Sequence, residues 1–474
     1  MQLFIILAAL LSFTGCSKEY MAEREFWKAE RLMSQIKKAD LEAQGTQILD
    51  PVATAYQKVF EKYPGTVKAV ESLFVITNIR LRQKNTQAAR ETLQKIIQNF
   101  SSWPDRAIEA REGLAKIYEV EGAWDKAETA YWELAKFHPL HPKGLYAPVH
   151  MIIHYKKVRD PEGQKRVYSL ALDYYEGNLK TTGPIQAAAA IKNYLALAKL
   201  ANGDWQEART DWLTIPKEFP ESPYAPMALL AAGELSQERR DIGSALDAYN
   251  QFLTSYGKHP LVERTTLRIG LLHSELKEFA KAREWFNKLL VHVKEAEKIA
   301  QLKLLIGQSY QNEGNWEEAE KIYHEIETQY PNSGAALQVP LFFYTHMESL
   351  GETEKAQEIL DSALQKYQEI EKTATDPAMS QLAQRLEFSA YAEKGDWKEI
   401  MSTFDENMAK EQAMDKRGNW LIFKAFIAES KLKDLEQAKS LYQSFLSEYA
   451  NHPLANYAKT KLEALTKSSP SPSV

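Results

Sequence analysis

Cysteine is the scarcest residue type in this sequence, with one, Cys16, among 474 residues. A single cysteine excludes an internal disulfide framework and leaves no second thiol for catalysis. Long apolar runs are also missing. The run at residues 3–11 (LFIILAALL) is too short to span a bilayer, which needs about 20 apolar residues. It has the length of a signal-peptide core instead.

An excess of positive charge is absent as well, because 59 Lys and Arg stand against 64 Asp and Glu, a net charge of −5. Nucleic-acid binding calls for a basic face, so we expect no nucleic-acid partner. The sequence also has no HExxH motif, no GxSxG motif and no phosphate-cradling glycine loop. We therefore expect no enzyme, no metal site and no small-molecule cofactor.

A helical repeat is what the sequence does contain. Residues 300–331 (AQLKLLIGQSYQNEGNWEEAEKIYHEIETQYP) place a small residue, Gly307 or Ala319, on each of two predicted helices. Tyr310 and Tyr323 follow these small residues, and Pro331 ends the second helix. Residues 108–139 have the same spacing. This pattern resembles the tetratricopeptide (TPR) repeat, in which two antiparallel helices cross at small residues.

The repeat recurs along the chain at regular intervals. Ala319 serves as the reference position of the second helix, and its equivalents are Val52, Ala89, Ala127, Gln164, Ala208, Ala245, Ala282, Ala356, Ile400 and Ala438. Successive reference positions differ in number by 37 or 38, except for two longer steps, from Gln164 to Ala208 and from Ala356 to Ile400, where the difference is 44. The resemblance implies an all-α, TPR-like α-solenoid, a right-handed superhelix of about eleven helix-turn-helix repeats.

The two longer steps divide the chain. They predict N-terminal repeats at 16–176, central repeats at 177–368 and C-terminal repeats with a capping helix at 369–466, after a signal peptide at 1–15 and before a flexible tail at 467–474. The breaker-rich stretches 177–184 and 373–377 are interpreted as hinges or as longer loops. Residues 20–41 are predicted to form one helix, and residues 454–465 the capping helix.

Tryptophan follows the turn inside four repeats, at Trp124, Trp205, Trp316 and Trp397. Glycine is expected to take a left-handed conformation in these turns, and Asp or Asn to cap the second helix. The four tryptophans could form a carbohydrate-stacking series, but in the TPR family this position packs between helices. We interpret them as packing residues.

The N-terminal sequence Thr14-Gly15-Cys16 resembles the lipobox of bacterial lipoproteins, in which the cysteine is lipidated and becomes the mature N-terminus. This resemblance implies a membrane anchor at Cys16. Ser17, rather than Asp, follows the cysteine, which favours the outer membrane with the body of the protein in the periplasm. The chain then resembles periplasmic and outer-membrane TPR proteins of the β-barrel assembly lipoprotein type.

In TPR proteins the first helices line the inner surface. In repeat three the matching positions are Glu109, Glu112, Lys116 and Glu119. In later repeats the resemblance selects a set of candidate partner-binding residues: Glu234, Arg264, Gln301, Gln308, Gln311, Trp420 and Phe423. The Trp420–Phe423 patch is either open to a partner or covered by the capping helix.

Binding is therefore the expected function. The leading hypothesis is a lipid-anchored scaffold that binds envelope proteins or peptides during envelope assembly or maintenance. The alternatives are a glycan-binding lipoprotein of the starch-utilisation type and a peptidoglycan-associated factor. The first alternative calls for long non-helical insertions, and a hydrolase calls for an appended catalytic domain; the repeat pattern leaves room for neither.

Overall fold

The structure, a computed structural model, describes residues 17–411 and 413–467. All regular secondary structure in these residues is helical. Within these residues there are 24 α-helices and one short 3₁₀ helix, Thr46–Leu49, and no strand. The chain divides into a first unit that ends at Val262 and a second unit that begins at Glu263. Cys16, the predicted signal peptide and residues 468–474 of the predicted tail lie outside the described residues.

The helices are numbered in chain order. Those of the first unit are α1 Lys18–Gln35, α2 Lys38–Gln44, α3 Asp50–Lys62, α4 Val67–Arg82, α5 Thr86–Asn99, α6 Pro104–Val120, α7 Trp124–Phe137, α8 Pro142–Lys157, α9 Pro161–Thr181, α10 Ile185–Asn202, α11 Trp205–Glu218, α12 Tyr224–Glu238 and α13 Ile242–Ser255. Those of the second unit are α14 Val262–Glu275, α15 Phe279–Leu290, α16 Ala296–Glu313, α17 Trp316–Gln329, α18 Gly334–Ser349, α19 Thr353–Thr373, α20 Pro377–Lys394, α21 Trp397–Lys410, α22 Met414–Ser430, α23 Leu435–Glu448 and α24 Ala455–Lys467.

The predicted eleven repeats are confirmed, because each reference position lies in the second helix of a pair. The eight reference alanines are completely buried. Gln164 is an exception: it is half-buried, and its side-chain amide donates to Asn202. Gln164 nevertheless occupies the reference position, because it follows the helix N-cap Asp160 by four residues, as Ala319 follows Asn315. The neighbouring Gly163 is buried.

In repeats six, seven and eight an aromatic ring of the second helix packs against a glycine of the first helix. In repeat eight a Cβ atom on Gly307 would lie 2.5 Å from the ring of Tyr323, and in repeat seven Gly270 has the same relation to Phe286. Both rings are fully buried. The missing side chain on the first helix therefore makes the space that the ring fills, which lets the helices cross closely.

The turn glycines take the predicted conformation. Positive φ values occur at Gly122, Gly203, Gly314 and Gly395. The capping prediction is correct for Asn315, whose side chain accepts from the Glu318 N–H. It is wrong for Asp204 and Asp396, which make no side-chain cap.

Both longer steps between reference positions result from a longer helix and not from a longer loop. The second helices α9 and α19 have 21 residues each, whereas α7 and α17 have 14. The added length is about two helical turns. The loop interpretation of these stretches was therefore wrong. The domain boundaries predicted at 176/177 and 368/369 fall within α9 and α19 and stay predictions.

Six consecutive helices of the first unit recur in the second unit at a constant offset. The start of each of α16–α21 exceeds the start of its counterpart among α6–α11 by the same number, as for Trp124 and Trp316 (316 − 124 = 192). Side-chain contacts recur too: Tyr175 donates to the Leu145 carbonyl at 2.6 Å, and Tyr367 donates to the Leu337 carbonyl at 2.8 Å. We call α6–α11 the first block and α16–α21 the second block. A residue of one block can be compared directly with its counterpart in the other.

The ends of the described chain are also helical. The predicted single helix over 20–41 is wrong, because α1 ends at Gln35, Ile36 is extended and α2 begins at Lys38. The predicted C-terminal capping helix is confirmed as α24, which packs on α23.

The Gly307–Tyr323 contact predicts a stability change. Because the first block has Ala115 at the position of Gly307, one added methyl group can be tolerated there. We therefore choose Gly307→Val, which crowds the ring and should lower the free energy of unfolding by about 1–3 kcal/mol. The matched control is Gly177→Val on α9, where a Cβ meets nothing within 4 Å. The control should be neutral or raise stability by about 0.3 kcal/mol.

Urea titration followed by far-ultraviolet circular dichroism measures both variants. Equal transition midpoints for Gly307→Val and Gly177→Val would show that the close crossing does not limit side-chain size.

Candidate functional site

A groove of about 320 Å³ opens in the first unit between three successive first helices, α6, α8 and α10. Its wall carries both charged and aromatic side chains: Glu112, Lys116, Lys143, Tyr146, His150 and Tyr194. First helices alternate with second helices along the chain. The stacking of repeats therefore brings residues from successive repeats onto one surface.

Two lysines hold the carboxylate of Glu112 at the mouth of this groove. Glu112 pairs with Lys116 and, at 2.5 Å, with Lys143. Burial raises the pKa of Glu112, but the hydrogen bonds from the two lysines outweigh burial, so the pKa lies below its usual range. Lys116 keeps 62% of its side chain exposed. The groove therefore presents a cation that remains accessible to a ligand carboxylate.

A half-buried hydrogen-bond cluster fixes the floor of the groove. The Tyr131 hydroxyl donates to Glu119 at 2.8 Å, and His150 Nε2 lies 3.0 Å from the same carboxylate. Burial raises the pKa of Glu119 and the bonds from Tyr131 and His150 lower it, with a net result below the usual value. Burial and the Glu119 carboxylate both raise the pKa of Tyr131. Glu119 is thus an internal acceptor that holds α6, α7 and α8 together.

Three tyrosines form a ladder along the groove. The ring centroids of Tyr146 and Tyr194 lie 6.5 Å apart, and those of Tyr194 and Tyr224 also lie 6.5 Å apart, both edge-on. Tyr146 is 43% exposed. Burial and the neighbouring hydroxyls raise the pKa of Tyr194 to about 12, so it stays a neutral donor. Since an extended chain rises about 3.3 Å per residue, this spacing matches every second residue of an extended peptide.

Sequence reasoning found one wall of this groove and missed the other. Of the four repeat-three positions, Glu112 and Lys116 line the groove, Glu119 lies beneath it and Glu109 pairs with Arg106 at 3.1 Å. Lys143, Tyr146, His150 and Tyr194 were missed, because they belong to repeats four and five, where the spacing is irregular. The available signal was the i, i+4 spacing of Tyr146 and His150, which places both on one helix face.

The predicted glutamines lie on the equivalent surface of the second block. Gln308 and Gln311 stand where the first block has Lys116 and Glu119. Gln311 accepts the hydroxyl of Tyr323 at 2.7 Å, so it has the internal role of Glu119. Gln308 is half-buried and Gln301 is exposed. Their role in partner binding stays a prediction.

The other predicted residues are not among those that line this groove. Glu234 on α12 and Arg264 on α14 are exposed and belong to different units. At the C-terminus, Trp420 is half-buried in one apolar cluster with Leu462 of α24, while Phe423 is 53% exposed. The capping helix therefore shares a core with part of the predicted patch and leaves Phe423 open.

The turn tryptophans pack against the next repeat, which confirms their interpretation as packing residues. Trp124 stacks on His154 with ring centroids 3.2 Å apart, and Trp316 stacks on His346 at 3.7 Å. A cation covers each of the other two: Arg239 lies 5.5 Å over Trp205 and Lys431 lies 4.6 Å over Trp397. Each of these rings therefore has one face occupied by the protein itself.

Residues 17–411 and 413–467 contain neither a metal-binding cluster nor a helix able to span a membrane. No group of three or more His, Cys, Asp or Glu side chains there could hold a metal ion. Among the described helices, none combines the length and apolarity needed to cross a membrane.

Comparison with known proteins decides the repeat type. The model of the tetratricopeptide repeat-like domain matches residues 169–341, and that of the tetratricopeptide repeat matches residues 71–102 and 424–452. The chain contains tetratricopeptide repeats. Such repeats typically mediate protein–protein interaction and are generally non-enzymatic. No curated protein matches the chain at a significant level.

The solved structures that this chain resembles are distant from it in sequence. A tetratricopeptide repeat protein from Parabacteroides merdae is 17% identical, with 60% of this chain and 100% of that chain covered and a TM-score of 0.33. Yeast Tom70 is 12% identical, with coverage of 95% and 96% and a TM-score of 0.39. Pseudomonas aeruginosa pilF is 16% identical, with coverage of 49% and 95% and a TM-score of 0.29.

Burial of His154 against Trp124 predicts a dependence of stability on pH. Burial lowers the pKa of His154 in the folded protein, whereas an unfolded histidine titrates near 6.5. The unfolded state then binds more protons below about pH 6.5, so the stabilisation is complete above that pH and is lost as the pH falls. The melting temperature should drop between pH 7.5 and 5.5, and His154→Gln should reduce the drop.

The exposed His292 supplies the control variant, His292→Gln. Melting followed by circular dichroism at both pH values compares the three proteins. An unchanged drop in His154→Gln would contradict the assignment of the effect to this ring.

Proposed function

We propose that the protein is a non-enzymatic TPR scaffold, anchored by lipid at Cys16 in the bacterial outer membrane and facing the periplasm. It binds an extended segment of an envelope protein in the groove of the first unit, during envelope assembly or maintenance. The observation that carries this proposal is the tyrosine ladder in an open groove beside Lys116.

Peptide binding agrees with the geometry of this groove. Tyr146 and Tyr194 provide flat apolar surface and a hydroxyl each, and tyrosine loses little conformational entropy on binding. Their 6.5 Å spacing suits side chains at alternate positions of an extended segment. Lys116 can pair with a carboxylate of that segment. A groove with these features recognises a peptide by shape and by one or two polar contacts.

The anchor is supported by sequence. The run at 3–11 and the Thr14-Gly15-Cys16 motif have the form of a lipoprotein signal, and acyl chains contribute roughly 0.8 kcal/mol per buried CH₂. The first described helix begins at Lys18, with Ser17 as its cap. A lipid at Cys16 would thus hold the first unit at the membrane without a long linker.

A glycan-binding function has weaker support, because each turn tryptophan packs against a side chain of the next repeat.

Site-specific photo-crosslinking in cells tests the groove. A photoreactive residue at position 146 should capture an envelope protein, and Tyr194→Ala should reduce that product at least fivefold. The control is the same residue at Val120, which is 86% exposed on α6. If position 146 gives no product, or gives the same products as position 120, the groove is not the binding site.

Metabolic labelling with a fatty-acid analogue tests the anchor. The wild-type protein should incorporate the label and fractionate with the outer membrane. Cys16→Ala should lose the label and either appear in the soluble periplasmic fraction or stay uncleaved. Membrane association of Cys16→Ala at the mature size would contradict lipid anchoring at this residue.

A further inference from the structure

A second groove, of about 670 Å³, lies within the second unit between α17, α18 and α19. Its floor is apolar, with Phe343, Met347 and Ile359, and its rim carries Glu320, His324 and Glu358. None of these six positions belongs to the tyrosine ladder or to its counterpart surface. This groove is therefore a second, separate candidate site.

The equivalent groove of the first block is filled by the protein itself. Trp132 packs edge-on to Tyr174, with ring centroids 6.2 Å apart. Arg166 forms a bidentate pair with Glu128, at 2.6 and 2.8 Å, and Tyr155 donates a hydrogen bond to the same carboxylate. An aromatic ring and a guanidinium beside a carboxylate thus occupy the space in the first block.

The second block keeps the receiving carboxylate and lacks the groups that fill the groove. Glu320 stands where the first block has Glu128. The filling groups are all replaced, with His324 at the position of Trp132, Met347 at that of Tyr155, Glu358 at that of Arg166 and Lys366 at that of Tyr174. The replacement of Arg166 by Glu358 puts a carboxylate where the first block has the guanidinium that pairs with Glu128.

The charges around the groove favour binding of a cation near Glu320 and Glu358. His324 lies 3.9 Å from Glu320 and 3.4 Å from Glu327. Lys355 pairs with Glu352 at 2.7 Å, on its own helix. Lys366 is half-buried one helical turn beyond Ser362, towards the C-terminal end of α19. Glu320 and Glu358 therefore both supply carboxylates to a groove that has an apolar floor.

We propose that this groove binds a partner segment that carries an aromatic side chain next to an arginine or lysine. The aromatic ring lies over Phe343 and Ile359, in the space that Trp132 and Tyr155 occupy in the first block. The cation pairs with Glu320 and Glu358, as Arg166 pairs with Glu128. The proposal goes beyond the proposed function, because it requires neither the lipid anchor nor the groove of the first unit.

Fluorescence anisotropy with two labelled pentapeptides tests the proposal on the full chain in detergent. The peptides, Gly-Arg-Trp-Arg-Gly and Gly-Glu-Trp-Glu-Gly, differ only in the two residues that flank the tryptophan. The first should bind at least tenfold more tightly than the second. His324→Trp, which restores the ring of the first block, should weaken binding of the first peptide at least tenfold. Glu358→Arg, which restores the internal ion pair, should remove the preference for the cationic peptide.

Tyr146→Ala separates this groove from that of the first unit and should leave binding of the cationic peptide unchanged. Circular dichroism verifies that each variant is folded. The double variant Glu320→Gln with Glu358→Gln removes charge without adding volume, and it should lower the affinity for the cationic peptide at least fivefold. Equal affinity for the two peptides, or undiminished binding by His324→Trp and Glu358→Arg, would overturn the proposal. A dimer in sedimentation that His324→Trp dissociates would also overturn it, in favour of a second copy as the occupant.

Discussion

The contact on which the structure depends is the packing of a ring from the second helix of a repeat against a small residue of its first helix, as in Gly233–Tyr249, Gly270–Phe286 and Gly307–Tyr323. Gly307 and Tyr323 show the contact clearly, since a Cβ on the glycine would lie 2.5 Å from the ring. Close crossing of the helices buries the reference alanine, and each pair leaves an apolar face that the next pair covers. Because the rings are used for packing, the inner faces of the first helices remain available for binding.

The two blocks show how one architecture acquires different surfaces. Helix starts coincide over all six helices once the constant offset between the blocks is applied, and the ring stacks Trp124–His154 and Trp316–His346 coincide as well. The side chains in the grooves do not. The first block has tyrosines and lysines in its inner groove, where the second block has amides. Trp132 fills the groove beside α9 in the first block, whereas the equivalent groove beside α19 in the second block is open. Substitution at a few groove positions therefore changes what each block can bind without changing how it folds.

The fold could be predicted from the sequence because its determinants are local and periodic. Alanine at the reference position and glycine in the turns recur with the period of the repeat, and small and aromatic residues at fixed offsets identify the helix pairs. The lengths of α9 and α19 could not be predicted, because the stretches 177–184 and 373–377 contain turn-forming residues, yet the helices continue to Thr181 and Thr373. The groove was predicted on the α6 side alone. Its other wall depends on which residues of α8 and α10 the stack brings together, and that is a property of packing.

The central claim is that the groove of the first unit is occupied by a partner in the envelope. Hydroxyl-radical footprinting of intact cells and of the purified protein, read by mass spectrometry, tests it most directly. Tyr146 and Tyr457 are 43% and 41% exposed, so they should be oxidised similarly in the purified chain. In cells the account predicts protection of Tyr146 relative to Tyr457. Equal oxidation of the two tyrosines in cells would contradict it.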